Sequence, residues 1–391
     1  MFRLSSVTGN IYFETFRITF PSPPASLYMD IFSNVKSKKG TWIISLTLII
    51  VIKLWAQNRF RVENYYSKDF YYFFSIALRV LFGWIPFSLG DILYLLAGCW
   101  LFWKVIKNCG LVLKKKYTKE ALLKKLWKLI LLSVTIYIVF NIFWGLNYNR
   151  KGIAWQLHLK GVVYDTANLI LMQELLLQKV NETKKVLISQ NVIYPDKKNL
   201  FKRAKECYDV AEKKFPFIKY KSVSVKSSLY GWLGNYLGFT GYYNPFTGEA
   251  QVNATVPKFL LPYITLHEMG HQLGYAKEDE ANFSGYLAAV NSHDTLFQYS
   301  AYLDLFVYAN HEVFYFDSSA SKNAVIQLSP AVKADLLEWR RFNEQYQSLI
   351  EPWISWMYGK YLQANQQPKG LRSYNEVIAM LMAYYKEYGK I

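Results

Sequence analysis

The chain is poor in cysteine, in acidic side chains and in histidine. Three cysteines among 391 residues cannot form a disulfide framework, which excludes the small cross-linked secreted folds. Twenty-eight Asp and Glu face 46 Lys and Arg, giving a formal net charge of +18, yet only 19% of the chain is charged. There is no internal repeat and no long low-complexity linker. A hydrophobic content of 52%, with 18% aromatic residues, excludes intrinsic disorder. The length suits two or three domains, or one domain and a membrane region.

The position of the positive charge separates these options. A charge of this size ordinarily points to nucleic acid or to an anionic surface. Residues 1–150 hold 20 Lys/Arg and 6 Asp/Glu, whereas residues 151–391 hold 26 and 22. The basic half is also the apolar half. Lysines that flank apolar runs orient a membrane protein, so a lipid bilayer is the expected partner and nucleic acid is not.

Three runs have the composition of spanning helices, at about 41–57, 89–105 and 126–145. Lys53 lies near the end of the first and has the length to snorkel to an interface. Tyr and Trp crowd the ends of the runs, as an aromatic belt requires. The stretch 70–87 carries Arg79, and Pro86 with the turn Ser88-Leu89-Gly90-Asp91 cuts it from the second span. It reads as a re-entrant or interfacial helix; as a full span it would raise the count to four.

Lys36, Lys38 and Lys39 precede the first span. Lys104, Lys107, Lys114, Lys115, Lys116, Lys119, Lys124, Lys125 and Lys128 cluster around the turn between the second and third, opposed there by Glu120 alone. The loop between the first two spans is more balanced. The positive-inside rule therefore keeps residues 1–40 as a cytoplasmic tail and sends residues 151–391 to the other side as an extracytoplasmic domain. Residues 1–28 lack the continuous apolar core of a signal peptide, and Met29 opens a more ordinary start. They are expected to be a disordered extension or an over-called start.

Beyond Arg150 the pattern is mostly helical. Leu169, Leu171, Leu175, Leu176 and Val180 predict a helix over 166–190, capped by Asp165 or Thr166. A second is expected over 198–214, ending before Pro216. Residues 219–227 alternate as a strand does, and residues 231–255 read as turns around a short strand near 248–254. From Pro257 onward the pattern is helical, with breaks expected at Gly274, Ser292, 317–330 and 366–370. The fold class is thus mainly α, with three N-terminal transmembrane helices followed by a mostly helical domain that carries a small β-sheet.

The informative motif is Leu266-His267-Glu268-Met269-Gly270-His271, followed by Gly274 and by Glu278-Asp279-Glu280-Ala281-Asn282. Histidines four apart share one face of a helix and have the spacing to hold one zinc ion. Glu268 stands beside them as the general base. Gly270 suits close packing, and Gly274 ends the helix. A catalytic zinc takes three protein ligands. The third histidine of the longer HExxHxxGxxH pattern would fall at Lys277, so that pattern fails. An acid from the next helix is the other solution. The E-x-x-A-[DN] arrangement makes Glu278 the ligand and Asn282 the residue that steadies a ligand histidine, with Glu280 as the rival ligand.

HEMGH followed by EDEAN resembles the gluzincins, zinc metallopeptidases in which a glutamate on a later helix completes HExxH. Over most of residues 60–390 the chain more closely resembles a family of uncharacterised bacterial integral-membrane HExxH proteins, known only as a domain of unknown function. The stretches that carry the likeness are 85–91 (IPFSLGD), 143–150 (FWGLNYNR), 241–253 (GYYNPFTGEAQVN), 267–283, 361–365 (YLQAN) and 373–377 (SYNEV). The resemblance implies a zincin-like domain, a zinc cofactor, a peptide or protein substrate and residence in the bacterial cytoplasmic membrane.

Several further residues are candidates for binding substrate or an oxyanion: Tyr299, His293, His311, Tyr242, Tyr243 and Asn253. The strand near 248–254 is the candidate for pairing with substrate backbone. Taken together, the reading is a membrane-anchored zinc metallopeptidase. The alternative is a non-catalytic zinc-containing membrane receptor or assembly factor, whose metal a fourth protein ligand would close off. An intramembrane protease is disfavoured because Lys258 and the 277–280 charge cluster flank the motif. The orientation has a direct test. Alkaline phosphatase fused after Ile391 should be active and a fluorescent protein fused there dark, and the reverse pattern would place the domain in the cytoplasm.

Overall fold

The structure, a computed structural model, describes residues 39–113, 118–160 and 165–391. The expected tail over 1–28, with Lys36, Lys38, Lys114, Lys115 and Lys116, lies outside these residues. Among the described residues, the longer helices begin with α1 (Lys39–Ala56), α2 (Tyr71–Gly83), α3 (Leu89–Leu113) and α4 (Lys119–Phe143). The chain divides into two compact units. One gathers Ile92–Phe143 with the described residues up to Gln57; the other gathers Asn58–Asp91 with Trp144–Ile391.

In the first unit, α3 and α4 are long and apolar enough to cross a bilayer. They expose Leu95, Leu96, Phe102, Leu129 and Ile136, as helices solvated by lipid do. α1 is the shortest of the three expected spans. Its 18 residues reach about 27 Å at 1.5 Å each, short of a hydrocarbon core of about 30 Å. The described residues hold two helices long and apolar enough to cross a membrane, or three if Gly40–Ala56 and Arg59–Gly83 count together as one bent span. Trp42 packs edge-on against Trp127 at 5.5 Å, and Lys53 Nζ lies 5.6 Å over the Tyr137 ring.

The second unit is helical around one small sheet. α5 (Thr166–Ser189) is capped by Asp165, whose Oδ1 accepts from Asn168 N, and α6 (Lys197–Ala211) is capped in the same way by Asp196. Then come β1 (Val225–Ser227), α7 (Gly231–Leu237), β2 (Gly241–Asn244) and β3 (Glu249–Val252). They are followed by α8 (Leu261–Gln272), α9 (Glu278–Asn291), α10 (Thr295–Phe316), α11 (Ser318–Gln327), α12 (Pro330–Gln345), α13 (Glu351–Ala364) and α14 (Glu376–Tyr388). α5 and α10 pack along their lengths and bury Leu169, Leu176 and Val180 with Leu303, Phe306 and Val313.

Three expectations need correction here. The strand over 219–227 shrinks to β1, because Ser222 adopts φ +59° and Tyr220 turns its hydroxyl to Gln272 Oε1 at 2.6 Å. The break at 317–330 contains α11, because Asp317 Oδ1 accepts from Ser319 N and Ala320 N and starts a new helix. The sheet order is β1-β3-β2, with β1 parallel and β2 antiparallel to β3. The expected strand near 248–254 is therefore central and already paired on both sides.

The segment 58–91 is built into this second unit. Val62–Phe70 winds as a π-helix and turns Glu63, Tyr66 and Ser67 inward. α2 is inverted relative to a helix in water, since Tyr71, Ser75 and Arg79 are buried while Phe73, Val80 and Leu81 are exposed. Buried Glu249 accepts from Leu89 N and Gly90 N at 3.1 and 2.6 Å, so an acid of β3 caps the start of α3. Asp91 accepts from Leu229 N at 2.6 Å, and Lys226 Nζ donates to Gly83 O at 2.7 Å.

Glu63 makes the main brace. It accepts two hydrogen bonds from the Arg150 guanidinium, at 3.1 and 3.0 Å, and others from Lys151 N and Gln156 Nε2. Both side chains are buried. Arg150→Ala would leave the buried Glu63 charge with only the more exposed Lys68, 3.7 Å away, and should cost about 3–5 kcal/mol. Thermal unfolding of the purified protein checks this, and Glu63→Gln combined with Arg150→Met should recover part of the loss.

Candidate metal centre

Every residue of α8 is buried. Leu266 and Met269 pack into the core cluster, and Pro262 starts the helix where its missing N–H costs nothing. The helix ends at Gly274, whose φ of +83° only glycine adopts readily. α9 follows at once and lies unusually close. A Cβ on Gly270 would stand 3.1 Å from Ala281 O, and one on Gly285 3.2 Å from His267 N. This close approach carries the first turn of α9 to the two histidines.

His267, His271 and Glu278 converge there, with one ligand atom from each lying within 4.8 Å of the others. Glu278 Oε2 stands 3.3 Å from His267 Nε2 and 3.5 Å from His271 Nε2. The remaining polar atoms of the trio are occupied. His271 Nδ1 donates to the Tyr275 carbonyl at 2.7 Å, and His267 Nδ1 pairs with Asn282 Oδ1 at 2.6 Å. Glu278 Oε1 accepts from the Tyr358 hydroxyl at 2.6 Å. Both rings therefore turn Nε2 toward Glu278 Oε2, a buried carboxylate oxygen with no hydrogen-bond partner. Two imidazole nitrogens and one carboxylate oxygen are a donor set that suits a divalent transition metal.

The electrostatics agree with this geometry. Burial lowers the His267 pKa to about 4, which keeps its ring neutral. Burial alone would make Glu278 a neutral acid, but His271 and then His267 hold its pKa well below the usual carboxylate range. Burial likewise opposes charge on His271, and the Glu278 carboxylate outweighs it and raises that pKa. Glu268 lies beside the trio, and burial pushes its pKa up to about 7. Its Oε2 has no hydrogen-bond partner, and a Cβ on Gly241 of β2 would stand 2.5 Å from its Oε1.

The last turn of α8 is held by residues distant in sequence. His271 O accepts from Trp144 Nε1 at 3.3 Å. Gln272 O accepts from Tyr71 OH at 3.2 Å and Arg79 Nη1 at 3.4 Å, and Leu273 O from Arg150 Nη1 at 3.3 Å. Trp144 also presents its ring edge-on to His271, at 6.0 Å between centroids. Arg150 stacks 4.3 Å over the ring of Tyr275, whose carbonyl orients His271.

A family model described as "Protein of unknown function (DUF3810)" matches residues 66–382. The chain belongs to this family. No curated protein matches it, and no solved structure does. The family assignment covers both the buried trio and the segments that hold it.

The other candidate residues are dispersed. Glu280 is turned from the trio toward Gly152, where a Cβ would meet its Oε1 at 1.8 Å, and lies 3.9 Å from Lys277 Nζ. Tyr243 is near the centre, its ring 5.4 Å from Trp144 and its hydroxyl bonded to Tyr71. Tyr242 bonds Asp91. Asn253 braces the loop around α7, donating to Asn235 Oδ1 at 2.6 Å and Gly231 O at 3.0 Å. Tyr299 donates to Asp335, His293 is exposed beside Arg203 and Asp294, and His311 lies against Glu312 and Tyr315. None of these last three is brought to the trio.

Sequence reasoning missed Tyr358, Tyr275, Trp144 and Gln367, whose Oε1 accepts from Glu278 N at 3.0 Å. It also took the wrong strand as the free edge. β3 bonds β1 through Ala250 N and Val252 O, and it faces β2 through Asn253 N. The alternation along the antiparallel ladder then directs the backbone N–H and C=O of Gly241 and Tyr243 away from β3. Beside Glu268, the edge is β2. Elemental analysis should show that Glu278→Ala removes more bound metal than Glu280→Ala. Asn282→Ala should weaken metal affinity by about 10- to 100-fold. A larger loss in the Glu280 variant would move the ligand assignment.

Proposed function

We propose that this protein is a membrane-anchored zinc metallopeptidase of gluzincin-like design, with its zincin-like unit on the extracytoplasmic side. The observation that carries the reading is the buried His267–His271–Glu278 donor set with Glu268 beside it. Zinc bound by those three residues would act as a Lewis acid toward water and the scissile carbonyl. Glu268, with its pKa raised to about 7 by burial, is suited to accept a proton from water at its carboxylate and return it to the departing amine. The outward backbone of Gly241 and Tyr243 offers a peptide a strand to pair with beside that carboxylate. Asn282 and the Tyr275 carbonyl orient the two imidazoles.

The trio also favours catalysis over a purely structural zinc. A structural site is closed by four protein ligands, whereas three leave room for substrate. The lysine distribution supports the extracytoplasmic side.

Glu268→Gln keeps the volume and removes the base. The full-length variant should retain zinc and lose about 10²- to 10⁴-fold of its peptide-library cleavage, read by mass spectrometry. Full activity in that variant would overturn the mechanism. Stoichiometric zinc without cleavage by the unaltered protein would favour the receptor or assembly-factor reading.

A further inference from the structure

The unit that carries the trio has a second unusual surface, unrelated to its chemistry. α13 exposes Trp353, Trp356 and Met357, a stripe at i, i+3 and i+4, with Leu349 just before it 93% exposed. The other face of the same helix points inward, where Tyr358 bonds Glu278 and Leu362 is buried. From Leu349 to Ala364 the only charged residues are Glu351, which is buried, and the exposed Lys360. A helix facing water would be polar along this stripe.

The apolar surface continues onto α7, which exposes Trp232 and Leu233. The two helices are tied together: Ser348 Oγ donates to Tyr236 O at 2.6 Å, and Tyr236 stacks edge-on against Tyr346 at 5.1 Å. α7 is in turn fixed to the place where the chain enters a span. Asp91, in the first turn of α3, accepts from Leu229 N, and the Tyr230 hydroxyl donates to Asp91 O. The end of α2 is tied to β1, where Lys226 Nζ donates to Gly83 O.

We propose that the joined faces of α7 and α13 form a lipid-docking surface that seats the metal-centre unit in the bilayer–water interface. The occupant is the bilayer, because the surface is bonded to the first turn of a membrane span. Its composition fits that boundary. Tryptophans favour the headgroup region, and one exposed lysine suits anionic lipid. An apolar patch of this kind is seldom left open to water. The trio on the inward side of α13 then works at the membrane surface, on polypeptide presented there.

The test measures depth and not activity, so its failure is distinct from failure of the peptidase reading. Trp232→Cys, Trp353→Cys and Met357→Cys would be made singly in full-length protein with the three native cysteines replaced, alongside Ile193→Cys as an exposed control. All four side chains are exposed, so the fold does not depend on them. Each is labelled with a fluorophore and reconstituted in phosphatidylcholine–phosphatidylglycerol vesicles. Shallow nitroxide lipids should quench the labels at 232, 353 and 357 by about twofold or more, and aqueous iodide should quench only the label at 193. Iodide quenching at 353 and 357 equal to that at 193 would overturn the proposal. Shielding from both quenchers would also overturn it, because a protein would then cover the face.

Discussion

A helix leaves its last carbonyl groups without partners inside itself, and they must be met from elsewhere. In this protein the helix whose end matters is α8, because His271 lies in its final turn. Trp144, Tyr71, Arg79 and Arg150 donate to the carbonyls of His271, Gln272 and Leu273, and Gly274 N also bonds His271 O at 3.0 Å. Two of the four are cations, which also suit the negative end of a helix dipole. The arrangement explains features that look unrelated in the sequence. The π-helical segment turns Glu63 inward to pair Arg150, and α2 buries its polar side because that side has α8 to serve. The end of α8 at His271, the brace and the inverted helix form one connected set of hydrogen bonds.

Acid scarcity is the other side of the same economy. Of the few acids in the chain, Glu63, Asp91, Glu249, Glu268, Glu278 and Glu280 are buried. Each stands where a backbone N–H, a cation, an imidazole or a tight glycine contact defines its surroundings. Glu249 and Asp91 fasten the start of α3 to the sheet, and Glu278 joins α9 to α8.

Local pattern was readable where the physics is local. The cap at Asp165, the two long apolar helices and the turn at Gly274 all follow from neighbouring residues. The spacing of Glu278 and Asn282 likewise fixes them on one face of α9, and that face meets His267. The unread parts depend on contacts across the chain. β2 lies within a run of Gly, Tyr and Asn whose composition signals turns, and only its pairing with β3 makes it a strand. α11 was hidden because Asp317 both ends one helix and caps the next. Trp144 and Tyr358 are more than 70 residues from the groups they hold, a distance at which periodicity carries no information.

One consequence concerns where this protein can be divided. The composition changes near residue 150, which invites a cut there to obtain a water-soluble fragment. The groups that close the end of α8 include Tyr71, Arg79 and Trp144, all on the discarded side of that cut, and the Glu63 that anchors Arg150 is there too. A fragment starting at 151 would take their donors from the carbonyls of Gln272 and Leu273 and leave His271 O to Gly274 N. The boundary in composition is not a seam in the fold.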